Sequence, residues 1–186
     1  MAWWVCEKGH EWRAQVKSRV AGCGCPVCAN REIRPTENGL AAQYPQLAAQ
    51  WHPTKNGALT PEEVTPYANR RVWWRCEKGH DYQAAIAART RGSGCPYCAG
   101  RKVLPGFNDL ATVATDIAKQ WHTTLNGVLT PQMVTAGSHR KVWWECKSGH
   151  VWKAAVYSRT GPQKCGCPVC AGKSSKNRYQ AALAKA

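Results

Sequence analysis

A small α+β fold, repeated in tandem and stapled by bound metal, is predicted by three features of the sequence. A block recurs at an offset of 70 residues, Cys-x-x-x-His followed by Cys-Pro-x-Cys occurs three times, and the 186 residues carry 11 Cys and 10 Trp but only one Phe. Such a composition does not fill an ordinary aliphatic core, so something else must hold each unit together.

The repeat sets the organisation. Val72-Trp73-Trp74-Arg75-Cys76-Glu77-Lys78-Gly79-His80 returns as Val142-Trp143-Trp144-Glu145-Cys146-Lys147-Ser148-Gly149-His150, and Trp3-Trp4-Val5-Cys6-Glu7-Lys8-Gly9-His10 is a third copy. A second block, Gln50-Trp51-His52 through Asn56-Gly57 and Leu59-Thr60-Pro61, is matched by Gln120-Trp121-His122 through Asn126-Gly127 and Leu129-Thr130-Pro131, and copy one lacks it. The chain therefore divides into a partial unit at 1–35, full units at 36–105 and 106–173, and a basic tail of helical composition at 174–186. The breaks fall at Pro35 and Pro105-Gly106.

Within a full unit, Leu110, Ala114, Ile117 and Trp121 follow helical spacing. Leu40, Tyr44, Leu47 and Trp51 repeat it, with Pro45 expected to split that helix. Thr60-Pro61-Glu62-Glu63 combines a cap residue, proline at the first helical position and a glutamate placed for a capping box, which predicts a short helical turn. A Trp-Trp strand, the Cys-x-x-Gly-His turn and a returning strand come next. In the latter, Trp12, Ala14 and Val16 alternate with Arg13, Gln15 and Lys17, a twisted hairpin with one polar face. Alternation sends one tryptophan of each pair inward, so most tryptophans read as core rather than as base-stacking platforms.

The predicted metal ligands are Cys6, His10, Cys25 and Cys28; Cys76, His80, Cys95 and Cys98; and Cys146, His150, Cys167 and Cys170. A tight turn containing Gly9, Gly79 or Gly149 aims a thiolate and an imidazole at one ion, and a Cys-x-x-Cys turn completes the tetrahedron. One histidine with three thiolates suits zinc better than iron, and four protein ligands leave no open position, so three structural zinc ions are expected and Lewis-acid catalysis is not. Cys23 and Cys165 precede two of the Cys-Pro-x-Cys pairs where copy two has Ser93; they read as spare thiols. The first 35 residues have no leader pattern and no stretch of eighteen apolar residues occurs, so a soluble cytoplasmic protein without a membrane partner is expected; in that reducing setting metal explains the cysteines better than disulfides do.

These motifs resemble the family described as "probable zinc-ribbon domain", whose tandem units have a treble-clef-like fold. Its pattern is matched here by Trp74-Arg75-Cys76-Glu77-Lys78-Gly79-His80, Arg89-Thr90-Arg91-Gly92 and Cys95-Pro96-Tyr97-Cys98, preceded by Tyr44-Pro45 and the Trp51 to Asn56-Gly57 block. Copy three has a two-residue insertion before Cys167. The resemblance implies zinc binding, a bacterial or phage origin, and DNA binding; such repeats occur beside endonuclease domains, and no nuclease domain is visible in this chain.

A formal charge of +15, from 26 Lys and Arg against 11 Asp and Glu, favours a polyanionic partner, and nine zinc-bound thiolates with three divalent ions lower it only to +12. Arg19, Arg89 and Arg159 occupy equivalent positions and are the leading candidates for phosphate contacts. Arg70-Arg71 and Arg140-Lys141 correspond just before the Trp-Trp strand, and Arg13 and Lys153 match on the returning strand; together they suggest a repeated basic stripe binding nucleic acid, DNA ahead of RNA. Two other classes compete. One is a protein-interaction adaptor or inhibitor within a nucleic-acid-processing or phage-defence complex; the other is a metal-dependent nuclease using His52, His122 or His139, whose neighbourhoods lack an acidic metal-binding set.

Overall fold

The computed structural model describes residues 1–173; the predicted basic tail lies outside them. The chain forms two compact units, Met1–Cys95 and the chain from Pro96 onward. No helix among the described residues is long and apolar enough to cross a membrane.

In the first unit, β1 (Ala2–Val5) pairs antiparallel with β2 (Glu11–Ala14), and α1 (Val16–Val20) follows. Two single-turn helices come next, α2 (Leu40–Gln43) and α3 (Pro45–Ala48). A 3₁₀ turn at Pro61–Glu63 leads to the hairpin of β3 (Arg71–Arg75) and β4 (Asp81–Ala85), then to α4 (Ile86–Thr90). The second unit repeats the later order: α5 (Leu110–Val113), α6 (Thr115–Ala118), a 3₁₀ turn at Pro131–Met133, β5 (Lys141–Glu145) paired with β6 (Val151–Ala155), and α7 (Val156–Thr160).

Register explains the tryptophan pairs. Trp4 faces Trp12, Trp74 faces Tyr82 and Trp144 faces Trp152 on the inner face; Trp3, Trp73 and Trp143 lie opposite Arg13, Gln83 and Lys153 on the outer one. In the second unit Trp144, Trp152, Val142, Val156, Leu110 and Trp121 form one buried cluster, with Trp121 edge-on to Trp144 at 5.5 Å between ring centroids. Trp51 meets Trp74 in the same way at 5.4 Å.

The block missing from copy one works as a third, short strand. In the middle copy Arg75 N–H donates to the Gln50 carbonyl (2.8 Å) and His52 N–H to the Trp73 carbonyl (3.1 Å); Glu145 to Gln120 and His122 to Trp143 repeat the pair. Asn56 then clamps Trp73, its amide accepting from Trp73 N–H (2.8 Å) and donating to Trp73 C=O (2.9 Å), as Asn126 does at Trp143. An asparagine that looks like an ordinary turn former thus satisfies a strand edge. The hairpin β1–β2 has no such cover among the described residues, and Trp3 is 70% exposed.

Two local expectations need correction. The returning strand stops at Ala14; Val16 opens α1 and is exposed, whereas its counterparts Ile86 and Val156 are buried. The helix expected through Leu110, Ala114 and Ile117 breaks at Ala114 (φ −145°, ψ 58°), as the earlier one does at Tyr44 (φ −136°, ψ 65°). The expected split at Pro45 is present, with Pro45 opening α3, and the other copy breaks at the same place before Thr115, so a proline is not required for it. The capping box is formed: Thr60 N–H donates to Glu63 Oε2 at 3.0 Å ahead of the 3₁₀ turn.

Candidate metal centres

The turn that joins each pair of strands presents two ligands. In the first, Cys6 N–H donates to the His10 carbonyl (3.1 Å) and Gly9 N–H to the Cys6 carbonyl (2.9 Å), with Gly9 at φ 79°; Gly79 and Gly149 adopt the same left-handed conformation, which glycine alone takes without strain. The chain after the short helix supplies the other two ligands from a knuckle whose first cysteine is buried (Cys25, Cys95, Cys167) and whose second is exposed (Cys28, Cys98, Cys170).

All twelve predicted ligands converge as three clusters, the donor atoms of each within 4.8 Å of one another. In the first, His10 Nδ1 lies 3.3, 3.4 and 3.2 Å from the sulfurs of Cys6, Cys25 and Cys28. Cys76 and Cys95 are 3.5 and 3.8 Å from His80 Nδ1, and Cys146, Cys170 and Cys167 are 3.5, 3.3 and 3.8 Å from His150 Nδ1. A zinc tetrahedron with ordinary bond lengths requires about 3.5 Å between sulfur and nitrogen and about 3.8 Å between sulfurs. Cys6 to Cys28 and Cys146 to Cys170 are both 3.8 Å.

The donor chemistry also calls for a cation. Burial opposes ionisation of Cys25, yet the Cys28 N–H and the His10 ring outweigh it and bring the thiol down to about 7. Burial and the neighbouring Cys25 and Cys6 push Cys28 up to about 11; hydrogen bonds to Cys167 and Cys146 raise Cys170 likewise to about 11. A divalent ion that replaces their protons lets three crowded sulfurs ionise together. Each set fits one zinc ion, closed to water and substrate.

The repeated arginines have a task that sequence position did not reveal. Arg159 is 5% exposed, with its guanidinium 4.9 Å from the Trp144 ring centre and 5.0 Å from that of Trp152, and it donates to Gln120 Oε1 at 2.7 Å. Burial lowers its pKa from the ordinary value while Cys167, Cys165 and Cys146 pull the other way. Arg89 sits over Trp74 and Tyr82 and donates to Gln50 Oε1 and the Ser93 carbonyl; Arg19 sits over Trp4 and Trp12 and donates to the Cys23 carbonyl. Three thiolates and a divalent ion sum to one negative charge, which an inward cation offsets. These three arginines, expected from the sequence to lead the phosphate contacts, thus each face core aromatic rings; Arg159 is buried there, while Arg19 and Arg89 are partly exposed. By contrast, Arg13, Arg70, Arg71, Arg140, Lys141 and Lys153 are exposed.

Several buried polar residues escaped the sequence reading. Asn38 Nδ2 donates to the carbonyls of Val27 (2.9 Å) and Glu32 (2.8 Å) and its Oδ1 accepts from Arg34 N–H (2.7 Å), tying the chain after the first knuckle back onto it; Asn108 repeats this on Tyr97, Lys102 and Leu104. Asp109, fully buried, caps α5 by accepting from Thr112 N–H; hydrogen bonds from Thr112 and Gly106 overcome burial and hold its pKa below the usual range. The offset of 70 would have found the asparagines. Asp109 aligns with Gly39, so recurrence was silent there.

Two of the leftover histidines hold local backbone through a ring nitrogen. His52 Nδ1 accepts from the N–H groups of Thr54 and Lys55, and its other nitrogen meets Asp81 at 3.0 Å; His122 Nδ1 accepts from Thr124 and Leu125. Asp81 is held far below the carboxylate range by Arg75 first, then by Lys55 and His52, against the effect of burial. His139 lies 5.1 Å from the Tyr157 ring.

A hairpin whose turn gives two ligands, followed by a short helix and a cysteine knuckle that gives two more, defines a treble-clef zinc-binding protein. The family model described as "Probable Treble clef zinc finger domain" matches residues 1–31, 47–101 and 117–173, and the chain belongs to that family. No curated protein matches the chain.

Proposed function

We propose that this zinc-dependent protein binds nucleic acid, duplex DNA ahead of RNA, and that it works by binding without catalysis. The observation that carries the reading is the exposed basic pair at the start of the hairpin in both full copies, Arg70-Arg71 and Arg140-Lys141, on a chain of formal charge +15. Cations also accompany the outer tryptophan of every hairpin: Arg13 lies 5.9 Å from Trp3, Lys55 4.7 Å from Trp73 and Lys153 5.5 Å from Trp143. In the middle copy the cation comes from Lys55 because Gln83 stands where the others have Arg13 and Lys153. Zinc fixes the hairpins in advance, so little order is lost when a phosphate backbone is engaged. Closed four-ligand metal sites, and a His52 bonded through both ring nitrogens, favour binding over a nuclease.

A protein-adaptor reading has one observation in its favour. Trp3, Val5, Val16 and Val20 of the first copy are all exposed apolar side chains, and surfaces of this kind mark protein contacts.

The test is binding of zinc-loaded protein to labelled duplex DNA, single-stranded DNA and RNA across a salt series. The variant with Arg70, Arg71, Arg140 and Lys141 all changed to Ala is expected to keep its fold and to weaken binding to every sequence. Each phosphate left without its cation lowers the salt slope by about 0.9, so a drop of roughly 3 to 4 is expected. No binding to any of the three polymers would overturn the reading and favour the adaptor.

A further inference from the structure

The histidine of the first metal site has a carboxylate partner that recurrence does not supply. His10 turns Nδ1 toward the three sulfurs and leaves Nε2 pointing away, where it meets Glu37 Oε2 at 2.5 Å. The other carboxylate oxygen of Glu37 is held by Arg34 at 3.6 Å. The turn that carries Glu37 is itself fixed: Glu37 N–H donates to the Arg34 carbonyl at 2.9 Å, and Asn38 ties the same turn to Val27, between the ligands Cys25 and Cys28. Seventy residues on, the position of Glu37 is Phe107, so this carboxylate belongs to one copy.

We propose that Glu37 is a positioning residue for zinc in the first site, accepting the Nε2–H of His10 so that Nδ1 is presented as the metal-binding lone pair. The imidazole has two tautomers, and only the one protonated on Nε2 leaves Nδ1 free to ligate; an acceptor on Nε2 selects it, fixes the ring plane and makes Nδ1 a better donor. Arg34 keeps the carboxylate aimed, and Asn38 makes its placement depend on the knuckle that supplies Cys25 and Cys28. The carboxylate reaches the site from the chain leading into α2, where Leu40 N–H donates to the Val64 carbonyl at 2.8 Å, so the metal of the first copy is linked to the start of the next.

The proposal is tested by following zinc transfer to a chelator with native mass spectrometry for the full chain and for Glu37→Ala and Glu37→Gln. Glu37 is exposed enough for either change to leave the fold intact, which a zinc count of three before chelation verifies. Glu37→Ala is expected to speed the loss of one of the three ions about tenfold, and Glu37→Gln, whose amide oxygen still accepts Nε2–H, is expected to fall between. In parallel, the His10 Nε2–H resonance is expected to be protected and shifted downfield in the zinc-loaded protein and lost in Glu37→Ala; a merely structural role would not move it. Unchanged zinc loss with an unchanged His10 resonance overturns the proposal, as does equal loss from Glu37→Ala and Glu37→Gln without any change at His10. None of these readouts depends on nucleic-acid binding.

Discussion

Cys76→Ser is expected to leave two zinc ions on the chain and to unfold the middle hairpin while the first and third sites stay loaded. Cys76 shares its site with His80, Cys95 and Cys98, and among the described residues no other cysteine belongs to that cluster. Binding of a structural zinc ion is worth on the order of 10 kcal/mol in small zinc-finger peptides, more than the whole stability of many domains of this size. The tryptophan core of one copy does not replace that, so β3 and β4 should lose their protected amides together with the metal. Native mass spectrometry counts the ions and hydrogen exchange reads the hairpin. Retention of three ions would refute the ligand assignment.

The second large effect separates the inner tryptophan of one Trp-Trp pair from the outer tryptophan of another. Trp144 is 0% exposed, packed between Trp121, Trp152 and the Arg159 guanidinium, and its indole N–H donates to the Ala154 carbonyl at 3.0 Å. Trp144→Ala is expected to destabilise the second unit by about 4 kcal/mol, because burial is forfeited and a cavity is left behind. Trp3→Ala removes a ring that touches little beyond Arg13, and its cost should stay under about 1 kcal/mol. Thermal unfolding of the two zinc-loaded variants decides the matter; equal losses would contradict the inward and outward assignment.

The twelve ligands and the hairpins are legible in the sequence because their spacing is dictated by the ion: two donors on one turn and two on a knuckle, written three times. The recurrence of Arg19, Arg89 and Arg159 is equally real, but recurrence does not say toward what a side chain points. Each copy has inner aromatic rings and a thiolate cluster for a cation to face, so an arginine kept at one position is as well explained by that interior as by a phosphate outside. Pro45 makes the break at Tyr44 legible, whereas Ala114 breaks without a following proline, and helical periodicity alone does not reveal that second break. Residues that differ between copies are invisible to self-comparison, and these include Asp109, Asp81 and Glu37. Asn56 and Asn126 are visible but read as turn formers, because their hydrogen bonds to Trp73 and Trp143 join residues far apart in sequence.

Zinc counting by native mass spectrometry, combined with zinc-edge X-ray absorption on the same loaded protein, tests the central claim most directly. Three ions per chain are predicted, with an average shell of three sulfurs at about 2.3 Å and one nitrogen at about 2.0 Å. Two ions, or a shell of four sulfurs in which Cys23 or Cys165 replaces a histidine, would contradict it.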